Sequence, residues 1–134
     1  MFQKTVLMSS PEYFKVEYAI NPWMVPGTNV DLELAKDQWN GLKRTIEEAG
    51  AEVKVVPPSE NHPDLVFTAN SGIIRGNDVL IANFKFEERR GEEEIYIKWF
   101  KENEYNVSRI PPDYKFEGRG DAFVYGDYLV GSYG

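Results

Sequence analysis

Val53-Lys54-Val55-Val56-Pro57-Pro58 returns about 50 residues later as Val107-Ser108-Arg109-Ile110-Pro111-Pro112. Each is a short β-branched run closed by a proline pair. The run reads as a strand, and the prolines cannot continue a hydrogen-bonded ladder. Before the first copy, Leu32, Ala35, Trp39, Leu42, Ile46 and Ala49 recur at spacings of three and four, which predicts one helix over Asp31–Ala49. Thr28 or Asn29 is expected to cap it, Asp31 and Glu33 suit its positive end, and Gly50 stops it. Before the second copy, a helix is expected from about Glu92 to Lys101, with Ile95, Trp99 and Phe100 inward and Glu92-Glu93-Glu94 as a solvated start.

The segments after the proline pairs repeat as well. Leu65-Val66-Phe67 is a short continuous apolar run, expected to be a strand buried on both faces. Ile73-Ile74 and Val79-Leu80-Ile81 then form a hairpin about Gly76-Asn77-Asp78. After the second copy come Phe116, a glycine-rich segment, and a hairpin of Phe123-Val124-Tyr125 and Tyr128-Leu129-Val130 about Gly126-Asp127. Phe67 matches Phe116 and Gly76 matches Gly126. Helix, strand, buried segment and hairpin thus occur at 31–82 and again at 92–130. A period of this length is that of repeats stacked around an axis or along a solenoid. Equivalent strand ends then converge, so Asp64, Asn70, Glu117 and Asp121 are expected in one central site. About two and a half repeats are present, which leaves an open edge, and the chain reads as unfinished.

The N-terminal stretch precedes this pattern. Phe2–Met8 alternates as a strand, Ser9-Ser10-Pro11 reads as a turn, and Tyr13–Ile20 alternates again with Phe14, Val16 and Tyr18 on one face. Asn21-Pro22-Trp23-Met24 ends it, with Trp23 expected as a buried anchor that holds Asn21.

At 134 residues the chain is one domain's worth at most, taken as a single unit over 1–134. Its 42% hydrophobic and 14% aromatic content is that of a globular protein. A net charge of −7 argues against nucleic acid or an anionic membrane as the main partner. The absence of cysteine excludes disulfides, cysteine-based zinc sites and any thiol nucleophile on these residues. No apolar run has the length of a membrane span, and Met1–Met8 lacks a signal-peptide pattern, so a cytoplasmic location is expected. His62, the one histidine, sits before Pro63 and reads as a turn residue.

Chemistry concentrates in Phe116-Glu117-Gly118-Arg119-Gly120-Asp121-Ala122, where two carboxylates flank two glycines. Glycine permits close approach of a ligand or another segment. With Ile20-Asn21-Pro22-Trp23-Met24, Pro63-Asp64-Leu65-Val66-Phe67-Thr68-Ala69-Asn70-Ser71-Gly72 and Glu88-Arg89-Arg90-Gly91-Glu92, this stretch resembles the guanidine-modifying enzymes. These comprise dimethylarginine dimethylaminohydrolase, arginine deiminase, the amidinotransferases and arginine dihydrolase, the last being the branch most like this chain. The resemblance implies an α/β fold of ββαβ units in a five-bladed propeller (the pentein fold), and an arginine-like guanidine as substrate. It also implies covalent catalysis by a cysteine thiolate, with a carboxylate-oriented histidine as acid and base.

Carried across, the resemblance makes Glu117 the catalytic carboxylate that orients the histidine. Asp64 accepts from the guanidinium, Asn70 reads the substrate nitrogens, Arg89 takes the substrate's α-carboxylate and Asn21 lines the pocket. Asp121 is either a ligand or a turn stabiliser, the second being preferred. Neither metal nor organic cofactor is implied. The family's cysteine and histidine lie beyond the last residue, Gly134, so this chain is expected to be inactive alone. Two alternatives stand beside an N-terminal hydrolase fragment. One is a non-catalytic propeller like the ribosome anti-association factors. The other is half of a split enzyme whose C-terminal partner carries the histidine and cysteine.

Overall fold

The structure is a computed structural model that describes residues 4–132. Met1–Gln3, in and before the expected first strand, and Tyr133-Gly134 lie outside the described residues. The chain divides into two compact units with the boundary between Thr68 and Ala69.

In the first unit, β1 (Thr5–Ser9) and β2 (Glu52–Val56) pair in parallel from Thr5↔Glu52 to Ser9↔Val56. The crossover helix α1 (Leu32–Glu48) joins them, because parallel neighbours need a long connection. Asp31, rather than Thr28 or Asn29, is the N-cap. Its Oδ1 accepts from Leu34 N at 3.0 Å, while the Thr28 hydroxyl donates to Val25 O instead. A carboxylate at this position satisfies an orphan N–H and also meets the positive helix end. Leu32, Ala35, Trp39 and Ile46 of the expected stripe are half-buried, whereas Leu42 is exposed.

Tyr13–Ile20 is not a strand. Phe14, Val16, Tyr18 and Ile20 are half-buried and the residues between them exposed, so the alternation is real. It belongs to extended chain without a ladder, because period two reports which side faces inward and not whether a neighbour is paired. Trp23 is 86% exposed and is no buried anchor. Leu65-Val66-Phe67 is also no strand: Pro63–Val66 is a 3-10 turn with Pro63 at its start. Leu65 N donates to His62 O and Phe67 N to Asp64 O, both three residues back. A short apolar run cannot be told from a buried helical turn by periodicity, and proline's fixed φ favours the turn. Leu65 is buried, and Phe67 meets Phe14 edge to face at 5.6 Å.

The second unit contains a complete ββαβ motif. β3 (Gly72–Arg75) and β4 (Asp78–Ile81) form an antiparallel hairpin, and β5 (Asn106–Arg109) adds in parallel to β4 after α2 (Glu87–Glu102). A second hairpin follows, β6 (Ala122–Tyr125) with β7 (Tyr128–Gly131). Both hairpins turn on two residues with glycine first, Gly76 at φ 60 and Gly126 at φ 58. A positive φ at that position matches the right-handed twist of the strands. The architecture is therefore mixed α/β.

α2 begins at Glu87, not Glu92. Phe86 leads in with extended backbone and Glu87 and Glu88 occupy the first turn, so Gly91, which reads as a loop residue, lies inside the helix. The shift carries Glu92 to 0% exposure, against the expectation of a solvated start. The buried apolar residues of this unit include Val79, Ile81, Phe84, Tyr96, Ile97, Trp99 and Phe100.

Both long helices end in the same hydrogen-bond pattern. In α1, Gly50 N donates to Glu47 O and Ala51 N to Ile46 O, with Gly50 at φ 87. In α2, Glu104 N donates to Lys101 O and Tyr105 N to Phe100 O, with Glu104 at φ 65. The rings of Phe100 and Tyr105 meet at 5.2 Å, the apolar contact that accompanies this motif. The second end thus holds a glutamate where the first has glycine. Glu104→Gly is expected to raise stability by about 1 kcal/mol, since it removes the left-handed strain at some cost in unfolded-state entropy. A urea midpoint equal to or below that of the native chain would contradict this. No helix among the described residues is long and apolar enough to cross a membrane.

Candidate functional site

Each unit carries part of the expected residue set. In the first, the 3-10 turn after Pro63 places Asp64 at 3% exposure, and its Oδ2 accepts from the Tyr18 hydroxyl at 2.8 Å. A buried carboxylate needs such donors. Tyr18 did not stand out as a site residue, although its phase in the alternating stretch turns it inward. Asn21 is exposed, and its Oδ1 accepts from Trp23 N at 3.0 Å and Met24 N at 3.2 Å. It fixes its own turn, as asparagine does in loops. His62 precedes the turn, with Nδ1 2.9 Å from the Ser59 hydroxyl, and partial burial lowers its pKa below the ordinary value.

The second unit brings Asn70, Arg89, Glu117 and Asp121 together. The Glu117 peptide is gripped at both ends: its N–H donates to Asp121 Oδ2 at 2.6 Å. Its carbonyl accepts from Asn70 Nδ2 at 3.2 Å and from Gly120 N at 3.1 Å. Asp121 therefore closes the acid–Gly–x–Gly–acid turn, whose centre Gly118–Gly120 is a 3-10 turn. Gly118 has φ 61 and lies hard against the Ala69–Gly72 backbone. With the backbone so held, the half-buried Glu117 side chain makes no hydrogen bond or ion pair among the described residues.

Asn70 is held from its other side. Arg89 Nη1 donates to Asn70 Oδ1 at 3.0 Å, which assigns the amide orientation: oxygen toward Arg89, nitrogen toward Glu117. Arg89 is 5% exposed, and its Nε and Nη2 donate to the two Glu92 oxygens at 2.9 and 2.8 Å. The guanidinium carbon lies 4.4 Å from the Phe84 ring centroid. A planar guanidinium suits both the forked pair and the aromatic face. Burial first, then the Glu92 carboxylate, push the Tyr96 phenol far above its usual range, with Arg89 working the other way. Tyr96 is thus neutral beside the pair. Glu92 was missed from sequence because the charge run around it reads as solvated surface. The available signal was its spacing of three from Arg89 within a helix, which puts the two on one face.

No group of three or more His, Asp or Glu among the described residues is placed to hold a metal.

Residues 18–130 match the family described as N,N dimethylarginine dimethylhydrolase, eukaryotic. An uncharacterised protein of Caenorhabditis elegans is 46% identical over 121 residues, 89% of this chain and 42% of its own length. The bifunctional arginine dihydrolase/ornithine cyclodeaminase ArgZ of Synechocystis is 42% identical over 132 residues, 96% of this chain and 19% of its own. A solved N-terminal domain of cyanobacterial ArgZ, a cysteine-to-serine variant bound to substrate, superposes with a TM-score of 0.88 at 41% identity. That match covers 97% of this chain and 49% of the solved one. The chain spans less than half the length of these relatives. Through the match over 18–130, the chain belongs to the dimethylarginine dimethylaminohydrolase family of the guanidine-modifying superfamily, of which it represents the N-terminal portion.

Proposed function

We propose that these residues form the guanidinium-holding part of an amidine hydrolase that acts on arginine or a close relative through a covalent cysteine mechanism. One observation carries the reading. The Glu117 backbone is fixed through both its N–H and its carbonyl, while its carboxylate has no partner among the described residues. A rigid, uncommitted acceptor suits the orientation of a histidine, and neither the nucleophile nor that histidine is required to come from these 134 residues. The solved ArgZ N-terminal domain, from an arginine dihydrolase, is a cysteine-to-serine variant bound to substrate.

In this reading Asp64 accepts from the guanidinium N–H groups, with Tyr18 fixing the other side of the carboxylate. Asn70 reads a substrate nitrogen, and Asn21 lines the entrance from its rigid turn. The resemblance gives Arg89 the substrate's α-carboxylate; its Nε and Nη2 hold Glu92 and its Nη1 donates to Asn70 Oδ1. A guanidinium is a resonance-stabilised cation and a poor electrophile. It must be held by acceptors and desolvated before a thiolate attacks its carbon. The ββαβ motif of the second unit and the repeated glycine-first hairpins support a setting built of such repeats; the five blades and the cytoplasmic location come from the resemblance and the sequence. The repeat also supports the non-catalytic reading, a propeller that binds a macromolecular partner by one face. The uncommitted Glu117 favours the hydrolase.

The deciding experiment titrates L-arginine into the chain alone, then into the chain mixed with a C-terminal segment that bears the cysteine and histidine. The mixture is expected to release ammonia and the chain alone to release none. Asp64→Asn should weaken arginine binding about 100-fold by withdrawing a charged acceptor from a buried pair. Turnover by the isolated chain would overturn the reading, and so would wild-type affinity in the Asp64→Asn variant.

A further inference from the structure

Glu92 has no place in the proposed chemistry, yet it is the most completely buried carboxylate of the second unit. Its side chain is 0% exposed and its partner Arg89 6%. A buried ion pair adds little net stability over apolar residues of the same volume, because desolvation offsets the attraction. Its retention here has a local consequence. The fork from Glu92 fixes Nε and Nη2 of Arg89, and the Phe84 ring fixes the guanidinium plane. In the plane so held, Nη1 donates to Asn70 Oδ1. An asparagine amide has two nearly isosteric orientations, and a charged donor on one side selects one of them. With the oxygen so assigned, Asn70 Nδ2 faces the Glu117 carbonyl.

We propose that Glu92 is a positioning residue: it fixes the orientation of the Asn70 amide through Arg89, and through Asn70 the carbonyl side of the Glu117 turn. The consequence for substrate rests on the hydrolase reading above, whereas the effect on Asn70 does not. If Glu92 were neutral, Arg89 would keep its stem but lose the charged fork, and the Asn70 amide would sample both orientations. A ligand nitrogen arriving at Asn70 would then meet an acceptor part of the time and a donor the rest.

The test is made on the 134-residue chain with Glu92→Gln, which keeps volume and removes charge, and with Ile97→Ala as a control. Ile97 is buried on the same helix, and its truncation destabilises without removing a partner of Arg89 or a polar group. In the native chain the two Asn70 Nδ2 protons are expected as a resolved, exchange-protected pair in nitrogen–proton correlation spectra, assigned through Asn70→Asp. Glu92→Gln should move that pair toward the free-amide position and weaken L-arginine binding about tenfold, the value of one charge-assisted hydrogen bond. Ile97→Ala should lower the melting midpoint and leave both readouts unchanged. An unmoved Asn70 pair in Glu92→Gln overturns the proposal whatever arginine does. A moved pair in a chain that alone binds no arginine upholds the positioning, and the hydrolase reading is then decided by the mixture with the C-terminal segment. Should Glu92→Gln fail to fold, the native chain decides, because overlapping and fast-exchanging Asn70 amide protons would themselves overturn the proposal.

Discussion

Gly118→Ala is expected to destabilise the chain by about 3–5 kcal/mol, by two mechanisms acting together. The first is conformational: at φ 61 an alanine sits in the left-handed region. The second is steric. A Cβ at Gly118 would lie 2.8 Å from Ala69 O, 2.8 Å from Gly72 N and 2.9 Å from Asn70 C. All three are backbone atoms, which cannot swing aside as a side-chain tip would. Gly76 supplies the control, since it has φ 60 and nothing within 4 Å of its added Cβ. Gly76→Ala therefore isolates the conformational part, about 1–2 kcal/mol. Denaturant melts of the two variants should separate by the steric remainder. If both fell equally, the Gly118 turn would not be packed on residues 69–72 as the structure has it. The same displacement would move Asn70 from the Glu117 carbonyl, so Gly118→Ala should also lose the exchange protection of the Asn70 amide.

Gly118 shows which parts of the site could be read from sequence. Acid–Gly–x–Gly–acid announces a tight element, and the two carboxylates flanking it were legible as candidates. The identity of what approaches the glycine was not, because residues 69–72 lie some way upstream and only the folded chain brings them close. The hairpins were legible for a local reason. Gly76-Asn77 and Gly126-Asp127 specify their turns within two residues, and short apolar runs flank them. Leu65-Val66-Phe67 failed for the opposite reason, because three apolar residues carry no period. Pro63, four residues before Phe67, decided the conformation. Tyr13–Ile20 had a true period, but a ladder requires a second strand that no local pattern can supply. Trp23 was placed inside by residue type alone, and residue type is a weak guide in a loop whose turn Asn21 already holds. Glu92 is hidden by the charges around it, and Arg89 stands out from them only through the resemblance. A run of acids and arginines reads as surface until a helix phase decides which two of them turn inward.

That phase gives the last large effect. Glu92→Ala is expected to cost about 3–5 kcal/mol, because it leaves the 5%-exposed Arg89 cation without the carboxylate that neutralises it. The loss is not the worth of the pair. Replacing both members by apolar residues of similar volume, Arg89→Met with Glu92→Leu, should return most of the stability, since two desolvation penalties vanish together. Such a chain would keep α2 with its buried Tyr96 and Phe100, and would melt near the native midpoint. It would also lose the donor at Asn70 Oδ1, so the Asn70 amide signals should broaden or shift as they do in Glu92→Gln. A double variant as unstable as Glu92→Ala would mean that the pair holds the helix in place by more than charge balance. A double variant of native stability whose Asn70 amide is disordered would separate the two roles. The carboxylate buried at 92 would then contribute to where an asparagine points rather than to how firmly the helix stands.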